Sequence, residues 1–179
     1  GGDYFDFVPE TDEILALCVG DVSGKGLTAS LLMANLKATI RSQALLRLSP
    51  AESLGYANQL LSRSTDPDKF ATLFYATLDA RSHTVTYANA GHFPPVVVNR
   101  SGSSRLLEGG GVVLGFLMGA EYGQSALTLE PGDVLAIYSD GITEAENAAG
   151  EQYGEGRLAA AVVDNRTAPA EELIESVIE

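Results

Sequence analysis

Three separate stretches of this chain set an aspartate beside glycine. VGDVSGK presents Asp21, YSDGIT presents Asp140, and GGDYFD presents Asp3. Carboxylate oxygens are the preferred ligands of hard divalent cations such as Mg²⁺ and Mn²⁺. A neighbouring glycine lets the backbone approach an ion closely. Taken singly, each acid has a plainer reading, because aspartate often serves only to cap a turn. Taken together they form a constellation: several carboxylates gathered at one place repel one another unless a cation sits among them. The sequence does not itself place the three side by side, so their convergence is an expectation.

The segment GDVSGKGLTASLL also invites a nucleotide reading, and spacing rejects it. A phosphate-binding loop needs four residues between its first glycine and a Gly-Lys-Ser/Thr. Here Gly20 and Gly24 enclose three, and Lys25 is followed by Gly26 instead of a hydroxyl residue. The dinucleotide pattern G-x-G-x-x-G does not occur in this segment either. A nucleotide-driven switch is therefore disfavoured. Lys25 reads as an exposed loop lysine, with contact to a substrate phosphate as the sharper alternative.

The acids need elements to hold them. Residues 13–20 (EILALCVG) form a short apolar run ended by Gly20, a buried strand that delivers Asp21 just beyond its end. The run VLAIY does the same for Asp140. Over residues 27–47 the period changes, with Leu31, Leu32, Asn35, Leu36, Thr39 and Ile40 at helical spacing and Lys37 and Arg41 on the other side. Ser49-Pro50-Ala51-Glu52 is a capping box with proline at the first helical position. It opens a second helix whose apolar face is Leu54, Ala57, Leu60 and Leu61. From Phe70 the pattern turns β: FATLFYATLD, a turn at ARSH, then TVTYANAG, with Val85, Tyr87 and Asn89 on one face. PPVVVNRSGSSRLL reads as a hairpin, and Pro131-Gly132-Asp133 as a turn between two more strands. Helices follow over 155–164 and 169–179, the latter striped by Ala170, Leu173, Ile174, Val177 and Ile178. Strands and helices cluster without strict alternation, which predicts an α+β layered domain with mostly antiparallel sheet.

Composition narrows the class of partner. Eleven Lys and Arg against 24 Asp and Glu give a formal charge of −13, which argues against nucleic acid, whose phosphates are held by clustered cations. No apolar run approaches the ~18 residues of a membrane span, and no leader peptide is visible. A cytoplasmic protein without membrane contact is expected. Cys18, the one cysteine, lies in an apolar run and reads as a buried structural thiol. The chain opens on GGDYFDF without methionine, as a piece of a longer protein would.

In this order, GGDYFDF, GDVSGKGLTASLLM, ATLFYATLD, TYANAGHFPPVVV and LAIYSDGITEAEN resemble the PPM-type metal-dependent serine/threonine phosphatases, and within them the bacterial SpoIIE/RsbU-like branch. The resemblance covers nearly the whole chain. It implies one domain over residues 1–179, an α-β-β-α sandwich of two mostly antiparallel sheets flanked by helices. It also implies two Mn²⁺ or Mg²⁺ ions and hydrolysis of phosphoserine or phosphothreonine in proteins. Carried over by motif, Asp21 bridges both ions, the carbonyl of Val22 ligates the first, Asp140 ligates the second, and Asp3 acts near them, through bound water.

The chain departs from the family pattern twice. Eukaryotic-type relatives carry a histidine just after the bridging aspartate, and Ser23 stands here, which leaves the proton donor unassigned. The family also ends on a further acidic strand, often D-D-x-T, that residues 1–179 lack, so the parent chain supplies it or the second ion is weakly held. His92, in NAGH, reads as a structural histidine ordering the turn before Pro94 and Pro95; some relatives hold an extra ion there with an aspartate. Glu144 is a candidate acid or simply a first-turn helix carboxylate.

The resemblance thus implies a phosphatase acting on a phosphorylated anti-anti-sigma-type regulator, with a sensor domain upstream in the parent chain and a homodimer allowed. The competing reading is an inactive phosphatase-like domain used as a signalling or binding module.

Overall fold

The computed structural model describes residues 2–64 and 69–178. The predicted end of the last helix, at 179, lies outside the described residues. Two compact units emerge, one from Gly1–His92 with Gly109–Thr128, the other from Phe93–Glu108 with Leu129–Glu179.

In the first unit, β1 (Tyr4–Pro9), β2 (Ile14–Val22), β3 (Ala71–Asp79), β4 (Thr84–Ala90) and β7 (Ser125–Thr128) form one antiparallel sheet in the order β1-β2-β3-β4-β7. Helices α1 (Leu27–Leu45) and α2 (Pro50–Ser64) cover one face of it. That face is lined by small residues, Ala16, Cys18, Ala71, Ala88 and Ala90, which leave room for Leu32, Leu36 and Ile40 of α1 and Leu54, Ala57 and Leu61 of α2. Burial of apolar area of this kind is the main favourable term in folding. Cys18 is buried among them, and desolvation pushes its thiol pKa up to about 12, so it is inert at neutral pH.

Both helices begin where expected. Gly26 precedes α1 at a φ of 80°, a conformation that glycine adopts at little cost. The glycine thus meets a backbone demand of the turn. The capping box forms as read: the Ser49 N–H donates to Glu52 Oε2 (2.9 Å) and the Glu52 N–H to Ser49 Oγ (3.4 Å). Ser49→Ala is expected to lower the Tm by roughly 2–4 °C, measurable by calorimetry. The buried stripe of α1 differs from the expected one. Ala29, Leu32, Leu36, Ile40, Gln43 and Ala44 are buried, while Leu31 is exposed. In α2, Leu60 is likewise exposed. Single periodic leucines cannot be assigned a side without the packing partner.

The second unit carries β5 (Val96–Val98), β6 (Ser104–Leu106) and β8 (Val134–Ala136) in the order β6-β5-β8, again antiparallel. The hairpin expected from PPVVVNRSGSSRLL is β5–β6. Its core joins Val96 and Val98 to Tyr138, Leu158, Val162 and Leu173. The helices are α3 (Asp140–Thr143), α4 (Gly154–Asp164) and α5 (Ala170–Ile178). In α5 only Leu173 of the expected stripe is fully buried, and Ile174 and Ile178 are exposed. The strands on either side of Pro131-Gly132-Asp133 do not pair with each other: β7 joins β4 and β8 joins β5. Asp133 still closes the turn, accepting the Glu130 N–H on Oδ2 at 3.0 Å.

Candidate metal centre

The first correction concerns Asp21. The strand expected to end at Gly20 runs on through Val22, so Asp21 sits within β2, directly across from Thr72 of β3. Its backbone N–H donates to Thr72 Oγ1 at 3.3 Å. Thr72 Oγ1 in turn lies 2.9 Å from Nδ1 of His92. His92 is only 5 % exposed. Its backbone N–H donates to Asn89 Oδ1 (2.7 Å), and Asn89 Nδ2 donates to the His92 carbonyl (2.9 Å). The Asn and His of NAGH therefore lock one turn and buttress the strand pair that carries Asp21. That supports the structural reading of His92. Thr72, the middle member, gave no signal in the sequence.

Ser23 also has a structural role. Its N–H donates to the Phe70 carbonyl and its Oγ accepts the Phe70 N–H, both at 2.9 Å. The residue that stands where other relatives carry histidine extends the β2–β3 ladder past its last rung.

Asp3 approaches from β1. The register pairs Tyr4 with Gly20, and continuing it by one residue sets Asp3 across from Asp21. The Val22 N–H donates to the Gly2 carbonyl at 3.2 Å, as that register requires. Because side chains alternate along a strand, Asp3 and Asp21 both lie on the sheet face opposite α1. Each offers a carboxylate oxygen within 4.8 Å of the other's. Two unit charges at that separation repel by about 1 kcal/mol even with water's dielectric, and a cation between them reverses the sign.

Gly2 supplies a test of fit. A Cβ built there would fall on the Val22 carbonyl oxygen and within 2.6 Å of Asp21 Oδ1. Both oxygens thus face one space that any side chain at residue 2 would fill. Carboxylates and a backbone carbonyl are the donor set that Mg²⁺ and Mn²⁺ take, so Asp3, Asp21 and Val22 suit such an ion.

In the second unit, Asp140 is partly exposed and is the first residue of α3, following Ser139 at the N-cap. β8 is shorter than the expected strand, ending at Ala136. Glu144 needs correction: α3 is a single turn that begins at Asp140, so Glu144 lies at its C-terminal end, where its N–H donates to the Asp140 carbonyl at 2.7 Å. The expected favourable first-turn dipole does not act on it. Lys25 is exposed in its loop.

An ion pair without a sequence signal lies on the other face of β1 from Asp3, its carboxylate buried and its guanidinium half exposed. Asp6, on the α1 side of β1, accepts Arg41 Nε on Oδ2 (2.6 Å) and Arg41 Nη2 on Oδ1 (2.9 Å). The Tyr4 hydroxyl and the Phe7 N–H, each at 3.1 Å, complete its hydrogen bonds. The Arg41 guanidinium, with the Tyr4 hydroxyl, holds the Asp6 carboxyl below the usual carboxylate range. Arg41 therefore does more than occupy the solvent side of α1.

Residues 11–179 match the protein family described as Stage II sporulation protein E (SpoIIE). The chain belongs to the SpoIIE family. Among curated relatives of this SpoIIE-family chain, phosphoserine phosphatase RsbU of Bacillus subtilis (strain 168) is 35 % identical over 144 residues, covering 80 % of this chain and 43 % of RsbU. The chain thus spans less than half the length of that relative. A crystal structure of the RsbU and RsbW domains of a Mycobacterium tuberculosis protein superposes with a TM-score of 0.85 at 28 % identity, covering 100 % of this chain and 50 % of that one. A crystal structure of RsbX in complex with magnesium shares the fold at a TM-score of 0.76 and 20 % identity, over 99 % of this chain and 78 % of that one. The expected α+β class with two antiparallel sheets and attached helices is borne out. Among the described residues, no helix is long and apolar enough to cross a membrane.

Proposed function

We propose that this SpoIIE-family chain is the catalytic part of a cytoplasmic, metal-dependent protein phosphatase. It hydrolyses phosphoserine or phosphothreonine on a regulator of the anti-anti-sigma type, under control of a sensor domain elsewhere in its parent chain. The observation that carries the reading is the Asp3–Asp21 pair facing one space with the Val22 carbonyl, kept open by the absence of a side chain at Gly2. The family resemblance assigns Asp140, at the head of α3, as the third acid.

In this reading Asp21 would bridge both ions, the Val22 carbonyl would ligate the first, Asp140 would ligate the second, and Asp3 would act near them through bound water. Bound Mn²⁺ or Mg²⁺ supplies the acidity that readies water at neutral pH and the positive charge that offsets the phosphoryl oxygens. The chain's own residues do the positioning. The Thr72–His92–Asn89 network fixes the backbone under Asp21, and the two-way Ser23–Phe70 bridge holds the turn after it. No side chain of the set acts as a covalent nucleophile, and a site built on acids needs no basic pocket of its own. The names of RsbU and the magnesium-bound RsbX support the class of activity and of ion.

A Mn²⁺ titration with para-nitrophenyl phosphate tests the proposal. Saturable, metal-dependent release of nitrophenol is expected, abolished by chelation. Absence of turnover at every Mn²⁺ concentration would instead support a binding module.

A further inference from the structure

The register of β1 runs against its own hydrophobic pattern. In YFDFV, burying the apolar side would turn Phe5 and Phe7 inward and leave Asp6 in water. The structure does the reverse: Asp6 is 8 % exposed, against 70 % and 61 % for Phe5 and Phe7. A one-residue slip in an antiparallel pair exchanges the two faces of a strand. Among the described residues β1 is an edge strand with β2 as its ladder partner, so few ladder hydrogen bonds oppose such a slip. Tyr4 and Val8 share the inward face with Asp6 and pack in the core, so apolar burial favours neither register decisively and a further contact must select the observed one. The forked contact of Arg41 with Asp6 is the feature able to do so, because it forms only when Asp6 faces α1. Charge pairs of this kind are better evidence for register than for stability.

We infer that the Asp6–Arg41 pair is a register lock, and that through it α1 places Asp3 beside Asp21. The inference rests on the metal-site reading for its consequence. In the slipped register, Tyr4 leaves its place opposite Gly20 and Asp3 turns to the α1 side, away from Asp21. Asp6 and Arg41 are thus positioning residues for a metal ligand three residues along the strand, and neither touches the ion.

Three variants separate this role from a general structural one. Arg41→Met removes the fork while keeping an apolar stem, leaving Asp6 buried without its partner and favouring the slip. Calorimetry with Mn²⁺ alone should show binding weakened at least about tenfold, the range typical when supporting residues of a metal site are lost. NMR should show loss of the Phe5–Val19 cross-strand contact, with the rest of the sheet intact. Asp6→Leu/Arg41→Met makes Tyr4, Leu and Val8 an apolar face toward α1, which restores the native register without any charge. Mn²⁺ affinity and the Phe5–Val19 contact should both return close to wild type. Asp6→Asn, which weakens the fork at nearly constant shape, should likewise lower Mn²⁺ affinity and weaken the Phe5–Val19 contact; it carries the test if Arg41→Met does not fold, and wild-type affinity in it would overturn the lock. Wild-type affinity in Arg41→Met, or failure of the double variant to recover, overturns the lock. A wild-type protein that binds no Mn²⁺ overturns the metal-site reading instead, and the cross-strand contacts still decide the register.

Discussion

Asp21→Asn is expected to reduce Mn²⁺-dependent phosphate release by on the order of 10³-fold or more while leaving the fold intact. The amide has nearly the shape of the carboxylate, and the backbone N–H of residue 21 keeps its bond to Thr72 Oγ1 in the variant. The substitution removes one of two negative charges whose oxygens lie within 4.8 Å of each other. Without metal, the variant should therefore melt at the wild-type temperature or slightly above it, since a repulsion has gone. Activity falling while metal-free stability holds or rises is the signature of a ligand position; a residue retained for the fold would lose both. Turnover comparable to wild type would remove Asp21 from the bridging role.

What was legible in the sequence followed the strength of local signals. The capping box at Ser49 and Glu52 and the proline at the first turn of α2 are local chemistry, and the structure realises them hydrogen bond for hydrogen bond. Strand ends were less legible. Gly20 looked like a terminator, but β2 continues through Val22 because β3 offers Thr72 and Ala71 as pairing partners. That information lies some fifty residues away in the chain. The sides of helices were misread for a similar reason. Leu31 and Ile40 both fit the period of α1, and only the strip of small strand residues decides that Ile40 is buried. The acids Asp3 and Asp21 stood out because each adjoins glycine. Asp6 and Arg41 did not, because their pairing spans 35 positions and opposes the hydrophobic pattern of β1. Such a conflict between local pattern and final structure is where a functional constraint is to be sought.

The same reasoning gives Gly2 an effect out of proportion to its size. A methyl group at residue 2 would meet the Val22 carbonyl oxygen, Asp21 Oδ1 at 2.6 Å and the Val22 backbone nitrogen at 3.2 Å. β2 cannot yield, since Val22 and Asp21 are paired to Ala71 and Thr72 across the ladder. The start of β1 must move instead, and with it Asp3, the next residue. Few buried contacts are lost at an exposed strand end, so Gly2→Ala should leave the Tm close to wild type. Metal affinity should fall roughly 10–100-fold, as expected when the support of a ligand is disturbed. Gly156→Ala in α4, where a Cβ meets nothing within 4 Å, is the matched control and should bind Mn²⁺ as wild type does. The loss in Gly2→Ala should show as a higher Mn²⁺ requirement in the phosphatase assay, with turnover partly recovered at saturating metal, because Asp21 keeps its charge and its place in the ladder. Unchanged Mn²⁺ affinity would mean that the space between Gly2, Asp21 and Val22 holds no ion.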